Sequence, residues 1–195
     1  MKYLVVGAEG AGGCIGAFMA EGGKDITLID RGEHADAIQI NGIRMDTTHR
    51  GNYGIYTIML SDMEQYEEKA NVIFLCWNGY SIEETIAFIK KSAGPQTMVI
   101  PLSGLYGIVD HLRKELPELP VIEGCVYVTA YTSKPGTIRM EEGTFRMVCS
   151  IGEDTGYTPL LDIVAADLRD CGIDTVFSKE TQTLRKKIVE TVEAL

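Results

Sequence analysis

Residues 1–30 read MKYLVVGAEGAGGCIGAFMAEGGKDITLID, and the fold is decided in them. Tyr3-Leu4-Val5-Val6 is a short apolar run of β-formers bounded by Gly7, the pattern of a strand buried on both faces. Gly7, Gly10, Gly12, Gly13 and Gly16 then crowd a turn that opens a helix running to about Ala20. Gly22-Gly23 stops that helix, and Asp25–Ile29 is a second strand ending at Asp30. Strand, glycine loop, helix and strand form the phosphate-cradling half of a dinucleotide site. Glycines let the backbone approach a pyrophosphate, and the helix N-terminus offers unpaired N–H groups and the positive end of its dipole.

The motif is not a perfect G-x-G-x-x-G. Starting from Gly7 it would place glycine at position 9, where Glu9 stands. A carboxylate beside a pyrophosphate is tolerated only if it turns outward. Gly10, Gly12 and Gly13 could share the work in a shifted loop. Alternatively, Gly7, Gly10 and Gly13 match the looser G-x-x-G-x-x-G register of extended short-chain dehydrogenases. The plainer alternative is a glycine-rich turn in an α/β domain that binds nothing.

A chain of 195 residues holds one large domain or two small ones. Its net charge of −10 argues against a nucleic-acid or anionic-membrane surface. No apolar stretch approaches the length of a membrane span, and the first apolar run passes straight into glycines, unlike a signal peptide. The five cysteines form no C-x-x-C pair and four lie in apolar stretches, which predicts buried, reduced thiols and a cytoplasmic setting. His34, His49 and His111 have no metal-ligand spacing, so no metal site is expected.

Further along, residues 35–41 predict a short helix, and 43–46 and 53–60 predict strands flanking a polar hairpin. A buried strand over 71–77 is followed by an amphipathic helix over 81–91. A strand over 97–102 and a helix over 106–115 complete an alternating series, which implies a mainly parallel, doubly wound sheet. The pattern then changes: 121–132, 136–141 and 144–151 read as an antiparallel meander appended to that sheet. A helix over 159–171 and a strand over 173–177 follow, and Ser178 is placed to cap a last helix. The expected fold is therefore α/β, Rossmann-like, with 1–178 as the NAD(P)-binding domain.

Several segments together resemble the ketopantoate reductase (2-dehydropantoate 2-reductase) family: VVGAEGAGGCIGAFMAEGGKDITLIDRGEH, NVIFLCWNGYSIEETI, TMVIPLSGLYG, EGCVYVTAYTSKPGTIRM and LRKKIVE, in order and spacing. The resemblance covers the family's N-terminal Rossmann domain. It implies that 179–195 is a helix leading to a C-terminal all-helical domain absent from this sequence. It further implies hydride transfer from NADPH to an α-keto acid, 2-dehydropantoate or similar, in pantothenate biosynthesis. A small-molecule substrate and no nucleic acid or membrane are then the expected partners, with a homodimer left open.

Carried over residue by residue, the glycine loop places Gly7, Glu9, Gly10, Ala11 and Gly12 against the dinucleotide. Arg31 stands where the family's arginine pairs with the 2′-phosphate, a suitable partner for a guanidinium. Asp30, at the end of the second strand, is instead the residue type that hydrogen-bonds a 2′-hydroxyl. Arg31 thus points to NADP(H) and Asp30 to NAD(H), and the resemblance favours NADP(H). Asn78 and Gly104 occupy the cofactor-side positions of a family lysine and asparagine. Lys186 aligns with the lysine that serves as general acid, although the usual tryptophan before it is missing and Glu190 replaces an asparagine after it. An ammonium there would stabilise the charge built on the ketone oxygen and donate its proton. The departures at positions 78 and 104 imply a degenerate active site.

Other chemistries fit less well. A binding or sensing module without turnover is the main alternative. A short-chain dehydrogenase needs Tyr-x-x-x-Lys, which is absent. Ser103 lies in no G-x-S-x-G elbow. Cys14, in the first turns of the glycine-loop helix, could have a lowered pKa but reads more simply as a small residue packed on the sheet.

Overall fold

A computed structural model describes residues 1–76, 79–102, 107–141, 144–150 and 158–178. The elements are β1 (Lys2–Val6), α1 (Gly10–Glu21), β2 (Asp25–Ile29), α2 (Gly32–Asn41), β3 (Ile43–Thr47), β4 (Gly51–Ile55) and β5 (Ile58–Leu60). After a short 3-10 turn come β6 (Ala70–Leu75), α3 (Ile82–Ser92), β7 (Ala93–Pro101), α4 (Ile108–Glu115) and β8 (Glu123–Tyr127). The last are β9 (Ala130–Lys134), β10 (Thr137–Met140), β11 (Phe145–Ser150), α5 (Thr158–Asp170) and β12 (Ile173–Ser178).

The central sheet runs β5-β2-β1-β6-β7, and every pairing in it is parallel. Its strands are continuous apolar runs because both faces are covered. Side chains alternate across a strand. Tyr3 and Val5 therefore enter one core, with α1, α2 and α5, while Leu4 and Val6 enter the other, with α3 and α4. The same alternation divides Val72 and Phe74 from Ile73 and Leu75. Filling two cores from one strand is what a doubly wound sheet requires.

α3 shows how local chemistry sets an element's limits. Ser81 and Glu84 form a reciprocal capping box at its start, and Lys90 and Lys91 sit in its last turn, where cations suit the dipole. Ile86, Phe88 and Ile89 turn inward.

The meander expected after residue 120 is not formed as such: β9 and β10 pair antiparallel, but β11 pairs with β8 instead of β10, so the runs are divided between two small sheets. One runs β4-β3-β10-β9, the other β12-β11-β8. The expected strand over 121–132 divides at Val128-Thr129, because β8 pairs with β11 while β9 crosses to lie beside β10. The expected strand over 53–60 divides too. β4 makes a hairpin with β3, and β5 leaves it to become the edge of the central sheet. Tyr56, at the crossing, is exposed. α2 begins at Gly32, three residues before the expected start, with Glu33 in its first turn. Ser178 ends β12, and the helix expected after it lies outside the described residues.

Candidate functional site

The loops after β1, β2 and β6 gather at one edge of the central sheet, the edge where doubly wound folds place their ligands. Gly7 continues the ladder, its N–H donating to Ile29 C=O at 2.8 Å. The backbone then turns through φ +94° at Gly7, a conformation glycine adopts without steric cost. α1 starts three residues later. A Cβ on Gly12 would stand 1.9 Å from Gly7 O and 2.9 Å from Cys76 Cβ. No side chain fits there, so the first turn of α1 lies directly against the strand ends.

The N-terminus of α1 suits an anionic ligand. Its first turn contains no acidic residue, and the Glu9 side chain does not cap it. The early N–H groups of a helix have no intrahelical i−4 partner, and in α1 these are the N–H groups of Gly10, Ala11 and Gly12. Glu9 is exposed, as the motif required. Cys14 is fully buried, and burial pushes its thiol up to about 12, which removes the idea of an activated thiol.

Two side chains hold the loop at Ala8. Asp30 is only 4% exposed. One of its oxygens accepts the Ala8 N–H at 2.7 Å and the other accepts its neighbour Arg31's N–H at 2.8 Å. Asp30 thus turns inward and braces the glycine loop, with little surface left for a ribose hydroxyl. His34 holds the other side of the same residue. Its Nδ1 accepts the Gly136 N–H at 3.0 Å, so the ring proton is on Nε2, which donates to Ala8 C=O at 3.2 Å. His34 therefore ties the glycine loop to the β9–β10 turn. Spacing gave no hint of this, because Gly136 is 102 residues away in sequence.

Arg31 points the other way. Its guanidinium carbon lies 3.9 Å from the centre of the Tyr80 ring, Nη1 donates to Gly79 C=O at 3.3 Å, and Nη2 pairs with Glu84 at 3.3 Å. The side chain is 44% exposed. Burial alone would lower its pKa, but Glu84 raises it, so the charge is secure.

The structure thus brings together Gly7, Glu9, Gly10, Ala11, Gly12, Asp30 and Arg31. Asn78, Gly104 and Lys186 lie outside the described residues. No group of three or more metal-ligating side chains occurs among the described residues. No helix among them is long and apolar enough to cross a membrane.

A parallel sheet ordered β5-β2-β1-β6-β7, with a tight glycine loop between β1 and α1, defines a Rossmann-like α/β domain. The sequence profile described as "Ketopantoate reductase PanE/ApbA" matches residues 3–152, and the chain belongs to that family. A 2-dehydropantoate 2-reductase of Pyrococcus horikoshii is 39% identical over 138 residues, spanning 71% of this chain and 44% of that protein. An uncharacterised oxidoreductase of Bacillus subtilis, YkpB, is 26% identical over 148 residues, spanning 76% of this chain and 48% of its own length. The crystal structure of 2-dehydropantoate 2-reductase from Porphyromonas gingivalis superposes with a TM-score of 0.81 at 28% identity, covering 93% of this chain and 65% of that one. The fold is also that of D-mandelate dehydrogenase, solved with NADH and anilino(oxo)acetate, at a TM-score of 0.79 and 21% identity; 91% of this chain and 57% of that one are covered. This chain spans about half the length of the curated relatives it matches.

Proposed function

We propose that this chain is the nucleotide-binding domain of a ketopantoate-reductase-like oxidoreductase acting on a small α-keto acid, 2-dehydropantoate or a near relative. The observation that carries the reading is the uncapped N-terminus of α1 behind a loop too tight for any side chain at Gly12, within a chain of this family. Gly10, Ala11 and Gly12 would bind the diphosphate through backbone N–H groups. Arg31 would meet an adenosine 2′-phosphate, which favours NADP(H) over NAD(H). Bound NADPH supplies the hydride that reduces the ketone carbon to an alcohol. Lys186 would hold the substrate oxygen and pass it the proton as negative charge develops there. The setting that fits this reading is the cytoplasm.

Asn78 and Gly104, in place of a lysine and an asparagine, favour slow turnover. Losing one comparable charge-stabilising donor costs about 3 kcal/mol of transition-state stabilisation. They also support a second reading, a domain that holds a dinucleotide without reducing anything. A sensitive NADPH-consumption assay with ketopantoate separates the two. Slow turnover abolished by Lys186→Ala supports the reductase. Nucleotide binding with no turnover in either protein supports the second reading. Turnover untouched by Lys186→Ala removes that lysine from the mechanism.

A further inference from the structure

Arg31 is already engaged before any ligand arrives. Tyr80 covers one face of its guanidinium, Gly79 takes one edge, and Glu84 takes another. The Glu84 carboxylate is itself fixed. Its Oε2 accepts the Ser81 N–H at 2.9 Å, while Ser81 Oγ accepts the Glu84 N–H at 3.1 Å. The Ser81 hydrogen bonds, and then Arg31, hold the Glu84 carboxyl below the usual range, so it is ionised at neutral pH. Asp30 and Asp62 also act electrostatically on Tyr80. The guanidinium's own ion pair is with Glu84.

A 2′-phosphate approaching Arg31 has two options. It can share the guanidinium with the Glu84 carboxylate, at the cost of like-charge repulsion. Otherwise Glu84 must leave Arg31 and give up its place in the α3 capping box. A 2′-hydroxyl faces neither cost. We propose that Glu84 is a specificity-determining residue of this site: its anchored carboxylate competes with the adenosine 2′-phosphate for Arg31 and lowers the preference for NADPH over NADH. The inference rests on the reading that the glycine loop binds a nicotinamide dinucleotide.

The test is a fluorescence titration of the 195-residue chain with NADPH and, separately, NADH, for wild type and Glu84→Gln. Glutamine also serves at this position of a capping box, so the substitution removes the charge and keeps the helix start. Glu84→Gln is expected to tighten NADPH about two- to fivefold, the scale of an exposed charge interaction. NADH should change by less than about twofold. Adding Arg31→Gln should erase the gain. Glu84→Ala, which removes charge and cap together, must move NADPH in the same direction. If both nucleotides bind and the ratio does not move, Glu84 is a bystander and the inference falls. If NADPH weakens, Glu84 orients Arg31 for the phosphate, and the inference is reversed. Failure of wild type and variant to bind either nucleotide overturns the site itself and this inference with it.

Discussion

Asp30 and Arg31 are neighbours in sequence and opposites in the fold. Asp30 faces inward, accepting the N–H of Ala8 in the turn between β1 and α1 and that of its own neighbour Arg31. Arg31 faces outward, layered on Tyr80 and paired with Glu84 across solvent-exposed surface. The first residue braces the loop, while the second keeps its guanidinium at the surface against Tyr80 and Glu84. Residue type alone makes both of them cofactor contacts. Burial separates a residue that braces the loop from one that stays at the surface.

The largest effect is expected at Asp30. Asp30→Ala leaves the buried Ala8 N–H and the part-buried Arg31 N–H without their acceptor, and unfolding in urea should show a loss of about 3 kcal/mol. A loss of a few tenths would mean that the loop keeps its shape without the brace. His34→Ala removes the second hold on Ala8 and leaves Ala8 C=O and Gly136 N–H unpaired. About 2 kcal/mol is expected. The double variant should depart from additivity, since both side chains grip one residue.

Asp167 lies between the two extremes. Half-buried, it accepts from Tyr3 Oη at 2.5 Å and pairs with Lys24 at 2.6 Å. Burial alone would raise its pKa, but Lys24 and Tyr3 outweigh that and hold it below the usual range. A lower folded pKa means fewer protons bound in the native state. The stabilisation is therefore complete above the unfolded value of about 3.9 and is lost as pH falls through the folded value. Asp167→Asn should lose about 1–2 kcal/mol at pH 7 and show a flatter decline in stability below pH 4 or so, measured by urea unfolding across pH. An unchanged slope would assign acid sensitivity elsewhere.

Arg31→Ala should give the smallest change in stability, within the range of exposed ion pairs, while weakening NADPH binding. A large loss of stability would place Arg31 with Asp30 as a structural residue and blur the contrast.

The sequence revealed what local chemistry dictates. The run from Tyr3 to Val6, the glycines after it and the strand from Asp25 to Ile29 announced the β1–α1–β2 unit. The alternation that followed announced the doubly wound sheet. The amphipathic helix over 81–91 was legible, although the use of Glu84 in its cap and against Arg31 was not. What stayed hidden depends on contacts far apart in sequence. β10 pairs in parallel with β3, some ninety residues earlier, so a local reading of 121–151 could see hairpins but not their division between two sheets. His34 looked like one of three scattered histidines until Gly136 came to it. Asp30 carried the right residue type for a ribose, and only its burial shows that the loop claims it.

Hydrogen exchange with and without NADPH tests the central claim most directly. If the glycine loop is the dinucleotide site, saturating NADPH should slow exchange in peptides spanning residues 7–14 and 30–34, and leave those of β11 and β12 unchanged. Unchanged exchange at 7–14, alone or with protection appearing only elsewhere, would contradict the account.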